Sequence, residues 1–309
     1  MDISNGKFIE IADKILFDNY LLKFPPEISE LTFTNLFIWR NYYNFLFLEW
    51  KDHLIIFSKK YLNSKWKNPI IKGRDVLYIL PPIGATPELI IFELIKKFNQ
   101  AEFHKISELT VEKIRNNEDF KEHKLEIGED RDNWDYVHKL NDLIELPGNQ
   151  YRQKRRRLKK FLDQYNYEFH FLTEDLVKKC KRLQLKWCII RECQDNESLF
   201  EEHKAINEAL NNYNELKYTG ALLCVDDECV AYTFGEKLNP NTLVIHIEKA
   251  HMQYEGSYQA INNLFLKNCF ADIKFVNREQ DLGILGLRRA KESYKPDHMV
   301  KKSIVYQKD

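Results

Sequence analysis

The sequence predicts an α/β protein with mixed sheets, formed by two units that repeat one order of elements in tandem. The first observation is length, because 309 residues exceed one typical domain. The second is composition, since 44% hydrophobic and 30% charged residues are typical of globular chains. The third is the order itself: in each half, helices precede three strands, and a loop with one glycine joins the third strand to a helix. We therefore predict one unit over 1–145 and a second over 146–309.

The first half begins with helices and continues into a sheet. The prolines at 25–26 end a helix predicted over 12–24, and Ser29 begins a second helix. Two extended stretches, 44–50 and 53–59, form a predicted hairpin. The other predicted elements of this half are strands at 75–80 and 102–106 and helices at 86–98 and 110–116.

Three strands separated by tight polar turns dominate the second half. The stretches 218–225, 229–238 and 242–248 are apolar, and Asp-Asp-Glu and Asn-Pro-Asn turns separate them, which predicts an antiparallel meander. The acidic stretch 126–135 is predicted to be a loop, and 293–309 is a tail without predicted elements. The other predicted elements are a basic helix at 151–165, strands at 167–172 and 273–277, a long helix from 173, and helices at 200–216, 257–270 and 283–292.

The charge balance and the cysteines exclude several classes of protein. Lys plus Arg equals Asp plus Glu at 47 each, so an anionic partner would need a local basic patch. No apolar run approaches the roughly 20 residues of a membrane span, and the first residues lack a signal-peptide pattern. We therefore expect a cytoplasmic protein that is at most peripheral to a membrane, and the oligomeric state stays open. The six cysteines form no C-x-x-C pair, so we expect reduced thiols and no metal site.

The strand at 242–248 carries the first candidate catalytic residues. Alternation along the strand places His246 and Glu248 on one face, about 7 Å apart, where either could act as a general base. Alternatively, His246 packs against a neighbouring helix and Glu248 pairs with a basic residue. Tyr294, after the last helix, could protonate a leaving group or be a buried packing aromatic.

Two loops near this strand carry polar side chains that suit a ligand. Gly256 and Ser257 begin a helix, where free backbone N–H groups favour a phosphate, although glycine also occurs there for structural reasons. The neighbouring polar residues join them as predicted donor-binding residues: Lys249, Tyr258, Gln259 and Asn263. The strand at 273–277 ends in polar residues, which is typical of a ligand-binding loop or of a solvated connection. The predicted substrate-binding residues there are Asn277, Arg278, Glu279 and Asp281.

The helix at 151–165 carries seven cations in the nine residues from Arg152 to Lys160. Five of them share a face at i, i+3, i+4 spacing: Arg152, Arg155, Arg156, Lys159 and Lys160. Because like charges repel, we expect an anion at this face: phosphates of tRNA or CoA, an anionic lipid surface, or the acidic side chains of 126–135. The sequence contains no G-x-S-x-G elbow, Walker loop, H-E-x-x-H or dinucleotide fingerprint, so those enzyme classes have no support.

Six segments carry a family resemblance, namely 31–40, 80–84, 234–238, 246–250, 256–263 and 276–283. The last three are the most specific and include the runs His-Ile-Glu-Lys-Ala and Val-Asn-Arg-Glu-Gln-Asp-Leu-Gly. These segments are similar to an uncharacterised bacterial family related to the C-terminal domain of phosphatidylglycerol lysyltransferase. The resemblance covers nearly the whole chain.

The resemblance implies two fused GNAT-type folds. The characterised relatives move an aminoacyl group from aminoacyl-tRNA to a lipid amino or hydroxyl acceptor, and Fem-type peptidoglycan aminoacyltransferases share the architecture. Glu236 lies in one of the matching segments and joins the predicted substrate-binding residues. Acetyl-CoA-binding GNAT proteins carry Arg/Gln-x-x-Gly-x-Gly/Ala, and here Gln253 and Gly256 match while Tyr258 replaces the second glycine. The resemblance therefore leaves aminoacyl-tRNA and acyl-CoA as possible donors.

These features together predict an acyl- or aminoacyltransferase whose site lies in the second unit. Glu248 or His246 would remove the proton of the acceptor, backbone N–H groups would hold the oxyanion, and Tyr294 would protonate the leaving group. The first unit is expected to be structural, because the two prolines in its 80–84 loop donate no N–H. The alternative is a non-catalytic protein that keeps the fold and binds a ligand or docks on an anionic membrane.

Overall fold

The chain forms two compact units. The computed structural model describes residues 1–58, 76–98, 100–269 and 272–308. The first unit contains Met1–Asp135, Gln280–Leu285 and Met299–Asp309, and the second contains Tyr136–Glu279 and Gly286–His298. Each unit has a mixed sheet with helices, which confirms the predicted α/β class.

The described strands and helices are numbered in chain order. The strands are β1 (Lys7–Phe8), β2 (Leu46–Trp50), β3 (His53–Ser58), β4 (Leu77–Ile79), β5 (Ala101–Ser107), β6 (Leu125–Glu129), β7 (Asp135–Lys139), β8 (Tyr167–Phe171), β9 (Thr219–Val225), β10 (Glu228–Asn239), β11 (Thr242–Ala250), β12 (Phe275–Asn277), β13 (His298–Val300) and β14 (Lys302–Gln307). The helices are α1 (Lys14–Lys23), α2 (Phe33–Tyr43), α3 (Pro87–Lys97), α4 (Glu108–Arg115), α5 (Asp119–Glu122), α6 (Leu140–Glu145), α7 (Arg152–Gln164), α8 (Glu174–Ile190), α9 (Glu197–Asn211), α10 (Tyr213–Leu216), α11 (Ser257–Cys269) and α12 (Leu285–Glu292). None of these described helices is long and apolar enough to cross a membrane. The predicted element ends at Lys59, Asp75 and Phe270 lie outside the described residues.

The two sheets follow one plan. The first has the strand order β1-β2-β3-β4-β5-β14-β6, and the second, taken from its opposite edge, has β8-β9-β10-β11-β12-β7-β13. In each sheet the fourth and fifth strands are parallel, and the strand beyond them pairs antiparallel with the fifth. In both sheets that sixth strand comes from outside the predicted half: β14 from the tail, and β7 from the stretch before the predicted boundary.

This strand membership corrects the predicted boundary at 145/146. The strand β7 precedes the boundary but pairs with β12, whereas β14 lies at the end of the chain and pairs with β5 and β6. The stretch 126–135, predicted to be a loop, contains β6, and the tail contains β13 and β14. Periodicity and turn signals depend on neighbouring residues, so they do not show which distant strand completes a sheet.

The core of the second unit lies between its meander and α11. Leu223 of β9 and Leu243 and Ile245 of β11 pack in one buried cluster with Ile261 and Phe265 of α11. The last two residues have the i, i+4 spacing of a helix face that packs on a sheet. Burial of each such side chain contributes about 1.5–3 kcal/mol. This packing holds β11 and α11, which carry half of the predicted catalytic, donor-binding and substrate-binding residues.

Two of the six cysteines form a disulfide between the end of α8 and the turn that follows it. Cys188 and Cys193 are bonded, with a Cα–Cα distance of 5.2 Å. The expectation of reduced thiols is therefore wrong for this pair, because spacing alone did not show that the turn brings them together. The remaining cysteines are free thiols: Cys180, Cys224, Cys229 and Cys269.

Candidate functional site

The end of the parallel pair β11 and β12 in the second unit organises the candidate site. The last paired residues of these strands are Val244 and Asn277. The chain continues through Arg278 to Glu279, which has a left-handed φ of 57°. The Asn277 side chain accepts a hydrogen bond from the Glu279 N–H at 2.8 Å and stabilises this turn. Asn277, predicted to bind substrate, is buried and shapes the strand end.

A register shift in the β10–β11 hairpin decides where two predicted catalytic residues lie. The pairing of the two strands skips His246, so β11 carries one extra residue there. Beyond this bulge the Glu248 side chain contacts Asn262 of α11, on the side of the sheet where Ile245 packs. The prediction that His246 and Glu248 share a face is therefore wrong, because simple alternation assumes a strand without bulges.

Five residues of the second unit meet around Arg278, and we call them the arginine cluster: Lys154, Glu248, Asn262, Arg278 and Tyr294. The two carboxylate oxygens of Glu248 accept hydrogen bonds from Arg278 Nη2 at 3.1 Å and from Asn262 Nδ2 at 2.8 Å. The Arg278 guanidinium lies 4.6 Å from the centroid of the Tyr294 ring. Lys154 Nζ lies 4.0 Å from the same centroid. The structure thus brings together three residues that the sequence singled out: Glu248, Arg278 and Tyr294.

One hydrogen-bond donor of the Arg278 side chain is not used within the described part of the protein. Its Nη1 atom is buried and has no hydrogen-bond partner among the described residues. A buried donor without a partner in the protein is uncommon, and a ligand oxygen would satisfy it. Because Glu248 holds the other guanidinium nitrogen, the direction of the spare donor is fixed. The arrangement suits a carbonyl oxygen or an anion.

Lys154 is a site residue that the sequence analysis missed. Burial and the charges of Arg278 and Arg157 lower its pKa to about 8, so a substantial part of the side chain is neutral in mildly alkaline solution. The predicted basic face left it out, yet helical spacing could have found it. Leu158 and Phe161 follow it at i+4 and i+7 and pack in the core, so Lys154 lies on the inner face of α7.

Tyr294 keeps its proton in the arginine cluster. Burial raises the pKa of its hydroxyl, and the charge of Arg278 opposes this only in part. Its backbone carbonyl accepts a hydrogen bond from the Tyr151 hydroxyl at 2.8 Å, which fixes the segment after α12. A protonated hydroxyl can act as a general acid, and this role of Tyr294 stays a prediction.

His246 lies in a separate group with two carboxylates. Its ring nitrogens are each 2.9 Å from a carboxylate oxygen, Nε2 from Glu236 and Nδ1 from Glu279. Burial lowers the pKa of His246, but the hydrogen bonds and charges of the two carboxylates outweigh it and raise the pKa to about 9. An imidazolium with both N–H groups engaged has no lone pair for a proton. The predicted role of His246 as a general base therefore does not fit the structure, and Glu236 and Glu279 hold it in place.

The glycine of the predicted phosphate loop has a structural role. Gly256 has a φ of 89°, and a Cβ there would collide with the carbonyl oxygen of Arg157 in α7. Ser257 is buried, and its hydroxyl lies 3.4 Å from the carbonyl oxygen of His251. The helix start therefore packs against α7, and this contact explains the glycine without a phosphate.

The other predicted donor-binding residues have partners in different parts of the second unit. Lys249 Nζ lies 2.7 Å from Glu202 and 3.7 Å from the centroid of the Trp187 ring, and burial lowers the pKa of Lys249. The Tyr258 hydroxyl accepts a hydrogen bond from Trp187 Nε1 at 3.3 Å. The Asn263 amide donates to the carbonyl oxygens at the end of α6. Only Gln259, which hydrogen-bonds Tyr294, borders the arginine cluster.

Asp281, predicted to bind substrate, belongs to the first unit. Its carboxylate accepts a hydrogen bond from Arg131 Nη1 at 3.2 Å and another from the Gly283 N–H at 2.8 Å. It is fully buried, and these bonds fix a turn. The predicted substrate set is therefore not one group of residues.

The predicted basic face of α7 divides into bound and exposed cations. Arg155 donates to the carbonyl oxygens of Leu146 and Gly148, and Lys160 pairs with Glu255. The other members, Arg152, Arg156 and Lys159, are exposed and form no ion pair with any described residue. The acidic stretch 126–135 has lysine partners within the first unit, at Lys105, Lys302 and Lys308.

A metal ligand set occurs once among the described residues, in the first unit. Asp119, Glu122 and His123 have potential ligand atoms within 4.8 Å of one another. Two of these side chains are partly buried and one is exposed, and they lie on one short helix and the residue that follows it. Exposed acidic residues of this kind are common without an ion, and this group does not contribute to the arginine cluster.

Comparison with known proteins identifies the relatives of this chain. Residues 23–306 match the family described as "Phosphatidylglycerol lysyltransferase, C-terminal". An uncharacterised protein of Mycoplasmoides gallisepticum is 25% identical over 175 residues, 55% of each chain, so the match spans little more than half of that protein.

Solved structures extend the comparison to the whole fold. A conserved protein of unknown function from Bacteroides thetaiotaomicron is 29% identical with a TM-score of 0.86, over 98% of this chain and 99% of the other. L-PGS from Bacillus licheniformis is 15% identical with a TM-score of 0.63, over 96% and 92%. FemX is 8% identical with a TM-score of 0.57, over 98% and 97%. The fold is therefore that of tandem GNAT-like proteins, as the resemblance implied.

Proposed function

The chain belongs to the phosphatidylglycerol lysyltransferase C-terminal family, and from this premise we propose that its second unit transfers an aminoacyl group from aminoacyl-tRNA to an amine or hydroxyl acceptor. The observation that carries the proposal is the spare, buried Nη1 donor of Arg278 beside Lys154 and Tyr294. An acyl transfer needs a donor for the oxyanion, a base for the nucleophile and an acid for the leaving group. The arginine cluster contains a candidate for each role.

The transfer breaks one ester bond and forms one bond to the acceptor. The acceptor nitrogen or oxygen attacks the ester carbonyl, and neutral Lys154 takes the proton that the nucleophile loses. Arg278 Nη1 donates a hydrogen bond to the tetrahedral oxyanion, where a charged donor is stronger than a neutral one. The intermediate collapses as Tyr294 protonates the leaving oxygen of the tRNA, and the proton on Lys154 restores the tyrosine directly or through water.

Glu248 acts in this scheme as a positioning residue. Both of its oxygens already accept hydrogen bonds, one from Arg278 and one from Asn262. It therefore orients the guanidinium, and the role of base passes from Glu248, predicted from the sequence, to Lys154. The lowered pKa of Lys154 supports this reassignment.

Two features favour tRNA over acyl-CoA as the donor. Gly256 is packed against α7, and the Tyr258 side chain follows it, so this loop does not present the open backbone that a pyrophosphate requires. The α7 helix presents five exposed cations, Arg152, Arg156, Arg157, Lys159 and Lys160, which suit the regular phosphates of a nucleic acid backbone. Acyl-CoA is the competing donor in the assay below.

The test is discharge of a labelled donor by the purified chain. Labelled aminoacyl-tRNA, prepared from a mixture of amino acids, and labelled acetyl-CoA are each incubated with soluble amines and with phosphatidylglycerol vesicles. We expect label to leave the tRNA faster than spontaneous hydrolysis and to appear in a product, and Arg278→Gln to abolish this. Arg289→Gln, on the exposed surface of α12, is the matched control.

Three results would contradict the proposal. Discharge of acetyl-CoA alone would mean that acyl-CoA, and not aminoacyl-tRNA, is the donor. No discharge of either donor above the protein-free rate would favour a non-catalytic protein. Equal rates for Arg278→Gln and the Arg289→Gln control would mean that the arginine cluster takes no part in the reaction.

A further inference from the structure

The C-terminal end of α8 presents aliphatic side chains to solvent. Leu185, Ile189 and Ile190 are 55%, 69% and 54% exposed, and they follow one another at i, i+4 and i+5 on one side of the helix. The opposite side of α8 buries Cys180 and Gln184. Single exposed apolar residues are ordinary, but a group of them on one helix end indicates a contact surface.

Cations precede this apolar end along the same helix. The stretch from Glu174 to Arg191 contains six Lys or Arg residues and two acids, and both acids lie in its first turn. Two of the lysines, Lys179 and Lys186, pair with acids of the β9–β10 turn. Three further cations form no ion pair with any residue that the structure describes: Lys178, Lys181 and Arg182. The surface is therefore aliphatic at one end and positively charged over the preceding two turns.

A disulfide and a small buried cluster hold the C-terminal end of α8 in place. The disulfide between Cys188 and Cys193 encloses Ile189 and Ile190 in a short loop. Both cysteines are buried and pack with Trp187 in a small cluster of their own. Ile189 and Ile190 are the last residues of α8 and lie between the two bonded cysteines, so their backbone loses little conformational freedom when the surface binds.

We propose that the surface formed by residues 178–190 of α8 docks this protein on an anionic lipid bilayer. The three aliphatic side chains enter the boundary between headgroups and acyl chains, and the unpaired cations lie over the negative headgroups. This is the arrangement by which amphipathic helices bind membrane surfaces, from apolar burial together with attraction to acidic lipid. Single-stranded nucleic acids are bound through stacking aromatic side chains, and this surface presents aliphatic ones.

The test is sedimentation of the purified full chain with large unilamellar vesicles. One set contains phosphatidylcholine alone, and the other contains about one third phosphatidylglycerol, each over a salt series up to about 0.5 M. We expect binding to the anionic vesicles only, and weaker binding as salt increases. The double variant Ile189→Asn/Ile190→Asn should lose most of the binding. Lys178→Gln/Arg182→Gln should weaken it about fivefold for each cation removed.

Matched controls separate this surface from the rest of the molecule. Ile15→Asn/Leu22→Asn removes side chains that are 75% and 78% exposed on α1 and should bind vesicles like the wild type. A triple variant of α7, Arg152→Gln/Arg156→Gln/Lys159→Gln, tests the alternative docking helix. The proposal is overturned if the wild type does not sediment with anionic vesicles or binds neutral ones equally. It is also overturned if the α7 or α1 variants alone lose binding, or if the α8 variants lose tRNA binding instead.

The proposed transfer reaction does not depend on this surface. The α8 variants should discharge aminoacyl-tRNA to a soluble amine at the wild-type rate. If the protein binds vesicles but transfers no aminoacyl group, only the proposed function is rejected. If it transfers the group but does not bind vesicles, only the docking proposal is rejected.

Discussion

The two units have the same backbone feature at the end of their parallel strand pair. In the first unit the last pair of β4 and β5 includes Phe103, and Lys105, two residues later, has a φ of 60°. In the second unit the last pair of β11 and β12 includes Asn277, and Glu279, two residues later, has a φ of 57°. A left-handed residue thus ends the parallel pairing at the same position in both sheets.

The charges around these two positions differ. In the first unit Lys302 Nζ is fully buried and lies 2.6 Å from both Asp135 and Glu30, and Lys105 lies 3.9 Å from the remaining Glu30 oxygen. In the second unit the Arg278 guanidinium forms an ion pair with Glu248, and its buried Nη1 atom has no hydrogen-bond partner among the described residues. Lys154 forms no ion pair with any described residue. The comparison predicts a structural role for the paired charges of the first position and ligand binding by the Arg278 nitrogen that has no partner at the second.

The largest expected effect is on the free energy of unfolding, from a substitution in the buried charge network of the first unit. Lys302→Met leaves Glu30 and Asp135 buried without their cation, so we expect a loss of about 3–5 kcal/mol in the free energy of unfolding. The exposed neighbour Lys301, paired with Glu108, is the control, and Lys301→Met should cost less than about 1 kcal/mol. Urea unfolding followed by circular dichroism measures both. Equal losses for the two variants would mean that the buried network is not structural.

The second effect is on catalysis in the second unit. Arg278→Gln removes a charged donor to the oxyanion, and we expect a fall in kcat/KM of about 10²–10³-fold, which corresponds to roughly 3–4 kcal/mol. Single-turnover discharge of aminoacyl-tRNA, together with a melting curve, separates lost chemistry from lost folding. If folded Lys302→Met protein lost as much of the discharge rate as Arg278→Gln does, the first position would not be purely structural and the distinction between the units would be wrong.

The third effect is a pH dependence of the rate. Neutral Lys154 accepts the proton, so kcat/KM should rise about tenfold per pH unit as pH increases towards the pKa of about 8, and level off above it. Lys154→Met should abolish this rising limb. Lys154→Arg keeps the charge but cannot lose a proton near this pH, so it should also be inactive. Activity of the arginine variant with an unchanged profile would assign Lys154 an electrostatic role only.

The smallest effect is a pH dependence of stability from His246. Its pKa is raised in the folded protein, from 6.5 to about 9, so the protonated form stabilises the fold. This contribution is fully present below pH 6.5 and is lost as pH rises through about 9. We expect the free energy of unfolding to fall over that interval in the wild type and less in His246→Gln. The partly exposed His170, hydrogen-bonded to Glu168, provides the control: His170→Gln should show the same pH dependence of stability as the wild type.

The sequence by itself determined the local elements and part of the site. The meander, the helices and the polar end of the 273–277 strand follow from patterns over a few residues, and each has a counterpart in the structure. Those patterns selected Glu248, Arg278 and Tyr294, which meet in the arginine cluster. They succeeded because strand ends and helix ends can be located from neighbouring residues.

Tertiary structure alone decided the contacts of these residues and the boundary of the units. The bulge at His246 separates it from Glu248, and it is a feature of the pairing between β11 and β10. The exchange of β14 and β7 between the two sheets depends on pairing between distant strands. The lowered pKa of Lys154 requires its burial beside Arg278. Each of these facts depends on residues far apart in the chain that become neighbours only on folding, so no local pattern records them.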